Sequence, residues 1–141
     1  MRLSWLVITI AAAATLVVAG CSGSRVAADA ATQEVALTLQ TGMAGGRMVY
    51  VGVGGAIEGQ INPELEVEAG SRVRITLIND DGMAHDLSVP AFGAKTPIIS
   101  AHGSEVEVAF TVKEGQEGTY DYFCTLAGHR QAGMEGRLFV R

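Results

Sequence analysis

Two segments constrain the fold more than anything else in this chain. "RVRITLI" (Arg72 to Ile78) sets Val73, Ile75 and Leu77 on one face and Arg72, Arg74 and Thr76 on the other. "EVEVAFTV" (Glu105 to Val112) does the same with Val106, Val108, Phe110 and Val112 opposite Glu105, Glu107 and Thr111. Strict period-2 alternation is the pattern of a strand buried on one side and wet on the other. Shorter candidates are Val35 to Leu39, Met48 to Val53, Leu65 to Val67, Asp86 to Val89, Pro97 to Ile99, Tyr120 to Phe123 and Arg137 to Val140. Turn-forming runs separate them: "TGMAGG" at 41–46, "NPE" at 62–64, "EAGS" at 68–71, "NDDG" at 79–82 and "KEGQEG" at 113–118. Beyond the N-terminus no stretch of ten residues has helical periodicity. The pattern predicts an all-β fold, an antiparallel sandwich or barrel.

The N-terminus is of another kind. One positive charge at Arg2 precedes an apolar run from Leu3 to Val18, and small residues follow up to Cys21. That order is the layout of an export signal, although the run is almost long enough for a membrane-crossing helix. The tetrapeptide "VAGC" (Val18 to Cys21) resembles the bacterial lipobox, whose cysteine is acylated and becomes the first residue of the mature protein. The expected organisation is a lipoprotein signal at 1–20, a small polar tether at 21–33 and one domain at 34–141. An uncleaved anchor helix is the alternative. Either way the domain is expected outside the cytoplasm and held to a membrane; the lipobox places it on the periplasmic side of a bacterial membrane, anchored by lipid through Cys21.

Charge and cysteine count narrow the chemistry. The formal charge of −5 becomes −6 when the single positive charge of Arg2 is removed with the signal. An acidic domain lacks the Lys/Arg surface that nucleic-acid backbones require, so no nucleic-acid partner is expected. The chain has two cysteines. With lipid on Cys21, Cys124 has no partner for a disulfide, and an exported domain without disulfides is stabilised by its core or by a metal.

Cys124 opens "CTLAGHRQAGM", which also carries His129 and Met134, between the candidate strands Tyr120 to Phe123 and Arg137 to Val140. A loop joining two adjacent strands can present all three residues at one end of a sandwich. A fourth candidate, His85, lies just beyond the turn "NDDG". One thiolate, two imidazoles and a thioether are the donors of a type 1 copper electron-transfer site. Zinc, the structural alternative, prefers Cys, His and carboxylate over Met.

The segment "GTYDYFCTLAGHRQAGMEGRLFV" resembles the copper-binding end of the cupredoxins, the type 1 blue copper family. The upstream "VGVGGAIEGQINPELEVEAGSRVRITLINDDGMAHDLSVP" is similar to the cupredoxin domain fused to some copper nitrite reductases, and the Cys-x4-His-x4-Met spacing is that of the rusticyanin and auracyanin type. The resemblance spans about Met48 to Arg141. It implies a Greek-key sandwich of about eight strands, one copper, and His85, Cys124, His129 and Met134 as metal ligands by matching position. Two departures stand out. Ala127 replaces a proline common before the Gly-His pair, which predicts a less rigid loop. Asp86 follows the first histidine where several members place asparagine, and it is expected to bond across to Thr125 and tie the two ligand loops together.

Other candidates read as structural. His102 lacks a ligand context and is expected on a solvated loop. Met43, Met48 and Met83 are irregularly spaced and suit packing or tether roles, while Tyr120 resembles the tyrosine corner of a sandwich. The small residues Ala127, Gly128, Ala132 and Gly133 would leave an edge of His129 near solvent within an apolar rim.

The functional expectation is a membrane-tethered carrier of single electrons and not an enzyme. Its transient partners would be redox proteins such as a c-type cytochrome, a copper nitrite reductase or a terminal oxidase. A copper-delivery or copper-storage lipoprotein is the alternative from another class. An accessory domain of a copper enzyme fits less well, because a further catalytic copper centre needs more histidines than His102 supplies. A Cys–His hydrolase lacks any matching signature around Cys124.

Overall fold

The computed structural model describes residues 33–141. The expected signal at 1–20, Cys21 and the expected tether up to residue 32 lie outside the described residues.

Nine strands form two sheets. They are β1 (Glu34–Ala44), β2 (Arg47–Val53), β3 (Leu65–Val67), β4 (Arg72–Ile78), β5 (Ser88–Val89), β6 (Ala94–Lys95), β7 (Glu105–Thr111), β8 (Gly118–Phe123) and β9 (Glu135–Val140). One sheet runs β2-β1-β4-β7 and the other β3-β9-β8-β5-β6. Two single-turn 3-10 segments, Gly55–Ile57 and Pro90–Phe92, are the helical content of the described residues.

The two alternating segments became neighbouring strands of the first sheet, β4 inside it and β7 at its edge. β4 buries Val73, Ile75 and Leu77 completely and pairs antiparallel with β7, Ile75 opposite Val108. Facing them from the second sheet, Tyr122, Leu138 and Val140 close the core with Leu39, Leu65, Leu87 and Val89. Tyr120 makes the expected corner, its hydroxyl donating to the Gln116 carbonyl at 2.9 Å.

The sandwich departs from a wholly antiparallel one in two pairings. β1 runs parallel to β4, and β3 parallel to β9. The chain leaves the first sheet after β2, forms β3 in the second, and returns as β4 beside β1. That return through the other sheet sets β1 and β4 in the same direction. The strand count is nine because Ala94–Lys95 pairs with β5 as a two-residue strand without alternation of its own. The expected strand Pro97 to Ile99 is reduced to an isolated bridge between Ile99 and His85. Much of "TGMAGG" is strand, with Met43 opposite Met48 and the reversal confined to Gly45 and Gly46, both at positive φ.

Candidate metal centre

Antiparallel strands β8 and β9 are joined by residues 124–134, and the last rung of their ladder sets Phe123 opposite Glu135. That rung brings the two ends of the loop together. The Cys124 amide donates to the Met134 carbonyl (3.2 Å) and the Met134 amide to the His129 carbonyl (3.0 Å). Positive φ at Gly128 (85°) and Gly133 (107°) provides the two reversals the loop needs. Cys124 and Met134 are buried, and His129 is half-buried between exposed Ala127 and Gly128 on one side and half-buried Ala132 on the other.

His85 reaches the same end from the connection between β4 and β5. Its backbone exchanges two hydrogen bonds with Ile99, both 2.9 Å, and its side chain is fully buried. The single rung Ser88 opposite Phe123 brings Asp86 and Thr125, two residues away on each strand, within side-chain reach. There the Asp86 carboxylate accepts from the Thr125 amide at 2.6 Å and from its hydroxyl at 2.5 Å, and Lys95 Nζ lies 3.2 Å from the same carboxylate.

Three donors converge. His85 Nδ1 lies 3.2 Å from His129 Nδ1, which lies 3.5 Å from Cys124 Sγ. One ligand atom from each of His85, Cys124 and His129 falls within 4.8 Å of the others. Two imidazole nitrogens facing each other beside a sulfur leave a common point that one cation fills. Met134 is buried on the same loop, its backbone tied to those of Cys124 and His129.

Burial sets the protonation of these donors. Burial lowers the pKa of His85, against the opposing pull of Asp81, so the ring is held neutral with a lone pair to offer. Burial raises the pKa of Cys124, with the Asp86 charge adding to the effect, so the sulfur is a thiol until a metal displaces its proton. Burial pushes the carboxyl of Asp86 up too, but the bonds from Thr125, Lys95 and Cys124 outweigh it and leave the pKa below the ordinary value. These donors suit a single type 1 copper ion.

Three supporting residues were not visible in the sequence. Asp81 accepts from or faces His85 Nε2 with both oxygens, at 3.1 and 3.0 Å. The Tyr50 hydroxyl donates to the Asp86 carbonyl at 2.6 Å. Asn62 exchanges hydrogen bonds with the Tyr50 backbone and donates from Nδ2 to the Gly133 carbonyl at 2.8 Å, beside Met134. Asn62 adopts φ of 47°, the one positive φ among described non-glycine residues. His102, by contrast, is exposed, with Nδ1 2.9 Å from the Asp80 carbonyl. Met43 and Met83 are exposed, and Met48 packs on the core.

The family model of the cupredoxin-like domain matches residues 8–140. The chain belongs to the cupredoxin-like domain family. Among relatives of this cupredoxin, rusticyanin of Acidithiobacillus ferridurans is 30% identical over 95 residues, covering 57% of this chain and 51% of the relative. Rusticyanin of Acidithiobacillus ferrooxidans matches to the same extent. The cupredoxin thus spans about half the length of the rusticyanins it matches in sequence. In structure it resembles rusticyanin from Thiobacillus ferrooxidans, with a TM-score of 0.58 and 22% identity over 77% of this chain and 78% of the other. The multicopper oxidase Fet3p is similar in fold as well, with a TM-score of 0.59 and 23% identity over 77% of this chain but 23% of that protein.

Proposed function

We propose that this cupredoxin carries single electrons through one type 1 copper held by His85, Cys124, His129 and Met134. The observation that carries the reading is the convergence of His85 Nδ1, His129 Nδ1 and Cys124 Sγ at the end of the sandwich where the ligand loop closes. Copper bound to such donors supplies a one-electron couple. The protein's part is to fix the donors on two strand-tethered loops, so that little rearranges when the oxidation state changes. Half-buried His129, between Ala127 and Ala132, offers an edge through which an electron can pass to a transient partner.

The partner class is small redox proteins, a c-type cytochrome, a copper nitrite reductase or a terminal oxidase. The placement is the periplasmic face of a bacterial membrane, with the lipid on Cys21 as anchor. The "VAGC" tetrapeptide supports that placement, and the acidic charge suits a cationic protein partner.

Purified protein given Cu(II) is expected to turn intensely coloured through thiolate-to-copper charge transfer and to bleach reversibly with a reductant. Cys124→Ser loses the colour. A colourless adduct that exchanges copper readily would overturn the reading in favour of copper delivery, and turnover of nitrite or oxygen would favour an enzyme. Incorporation of labelled fatty acid, lost in Cys21→Ala, tests the anchor.

A further inference from the structure

The ring of His85 has two nitrogens with different tasks. Nδ1 faces His129 Nδ1 at 3.2 Å, on the side of Cys124. Nε2 points the other way, at the carboxylate of Asp81. A carboxylate oxygen only accepts, so Nε2 is the nitrogen that carries the proton. The Nδ1 lone pair is thereby left facing the donor cluster.

Asp81 is itself held. Its Oδ1 accepts from the Met83 amide at 2.9 Å, and its side chain is 11% exposed. The turn that carries it is closed by Asn79, whose Oδ1 accepts from the Gly82 amide (2.7 Å) and whose Nδ2 donates to the Met83 carbonyl (2.6 Å). Gly82 takes φ of 72° in that turn. Asp86, adjacent to His85 in sequence, directs its oxygens at Thr125 and Lys95 instead. The carboxylate on this imidazole is therefore that of Asp81.

We propose that Asp81 is a positioning residue for the metal centre: it fixes the Nε2–H tautomer and ring orientation of His85, and its charge biases the bound copper toward Cu(II). This deepens the copper reading and rests on it. A carboxylate behind a metal-bound histidine makes the imidazole a stronger donor, and losing such a partner weakens metal binding by about 10–100-fold. A negative charge beside the ligand also stabilises the more positive oxidation state.

The test uses the full chain and two variants. Ring 15N shifts of His85 in the metal-free protein are expected to show the proton on Nε2. Asp81→Ala is expected to lose that preference and to bind Cu(II) at least 10-fold more weakly. Asp81→Asn keeps an accepting oxygen and should restore the tautomer, but it lacks the charge. Its Cu(II)-to-Cu(I) affinity ratio should fall about 10-fold, a rise in reduction potential of about 59 mV for one electron. A proton on Nδ1 of His85 in the metal-free wild type would overturn the inference. So would a potential in Asp81→Asn equal to that of the wild type. A wild type that takes up copper without the intense colour would count against the copper reading itself, and the tautomer would still decide the role of Asp81.

Discussion

Asp86 and Thr125 stand 39 residues apart in sequence and share two hydrogen bonds, one from the Thr125 amide and one from its hydroxyl. Asp86 follows His85 and Thr125 follows Cys124, so this pair locks together the two segments that carry the proposed ligands, one residue beyond them. The pairing between β5 and β8 amounts to the single rung Ser88–Phe123. Side chains therefore do here what a longer ladder would do elsewhere.

Removing that lock has a measurable cost. Hydrogen bonds to a charged group contribute about 1.5–3 kcal/mol, so Asp86→Ala in the metal-free protein should lose an amount in that range by urea denaturation. Thr125→Val keeps the amide bond and should lose less. A double-mutant cycle that returns no coupling between the two positions would contradict the arrangement.

Asn62 combines an unusual backbone with three hydrogen bonds. At φ of 47° a residue with a Cβ is strained, whereas glycine is not. Asn62→Gly should keep the turn and lose only the side-chain bonds to Tyr50 and Gly133, about 1 kcal/mol each at most. Asn62→Ala should be less stable than Asn62→Gly, the reverse of the usual order at a strand end. Thermal unfolding of both variants checks the order.

Gly136 on β9 has no room for a side chain. A Cβ there would lie 2.3 Å from the Tyr122 Cζ, and Tyr122 is fully buried with its hydroxyl on the Pro63 carbonyl at 2.7 Å. The ring cannot retreat without breaking that bond and disturbing its contact with Tyr50. Gly136→Ala should destabilise the fold by about 3 kcal/mol, the upper part of the usual overpacking range. A variant as stable as the wild type would show that the ring has space to move.

Copper should stabilise the folded chain by mass action. At free metal 100-fold above its dissociation constant the gain is about 2.7 kcal/mol. Calorimetry with and without copper should show the midpoint rise in the wild type. In Cys124→Ser the rise should be much smaller, because the strongest soft donor is gone.

What could be read from the sequence follows from where each signal is stored. β4 and β7 were legible because half-burial writes itself into every second residue. Cys124, His129 and Met134 were legible because one loop holds them at fixed spacing. β6 was not, since Ala94–Lys95 is a strand only by virtue of pairing with β5. Asp81, Tyr50 and Asn62 were hidden for a related reason. Asp81 reads as one more polar turn residue until the His85 ring is seen above it, and Tyr50 and Asn62 meet the ligand loops only through long-range register.

The proposed donor set is split unequally along the chain, and that division bears on how the protein folds. Cys124, His129 and Met134 sit within a single β8–β9 hairpin, an element that closes on the microsecond scale from local contacts. His85 joins them only when the 39-residue separation from Cys124 has been closed and β5 pairs with β8, a non-local contact that forms more slowly. A complete chain that is still folding thus offers three of the four proposed donors before His85 joins them. Copper met at that stage would be held by a partial set, and the pairing of β5 with β8 is the event that completes it.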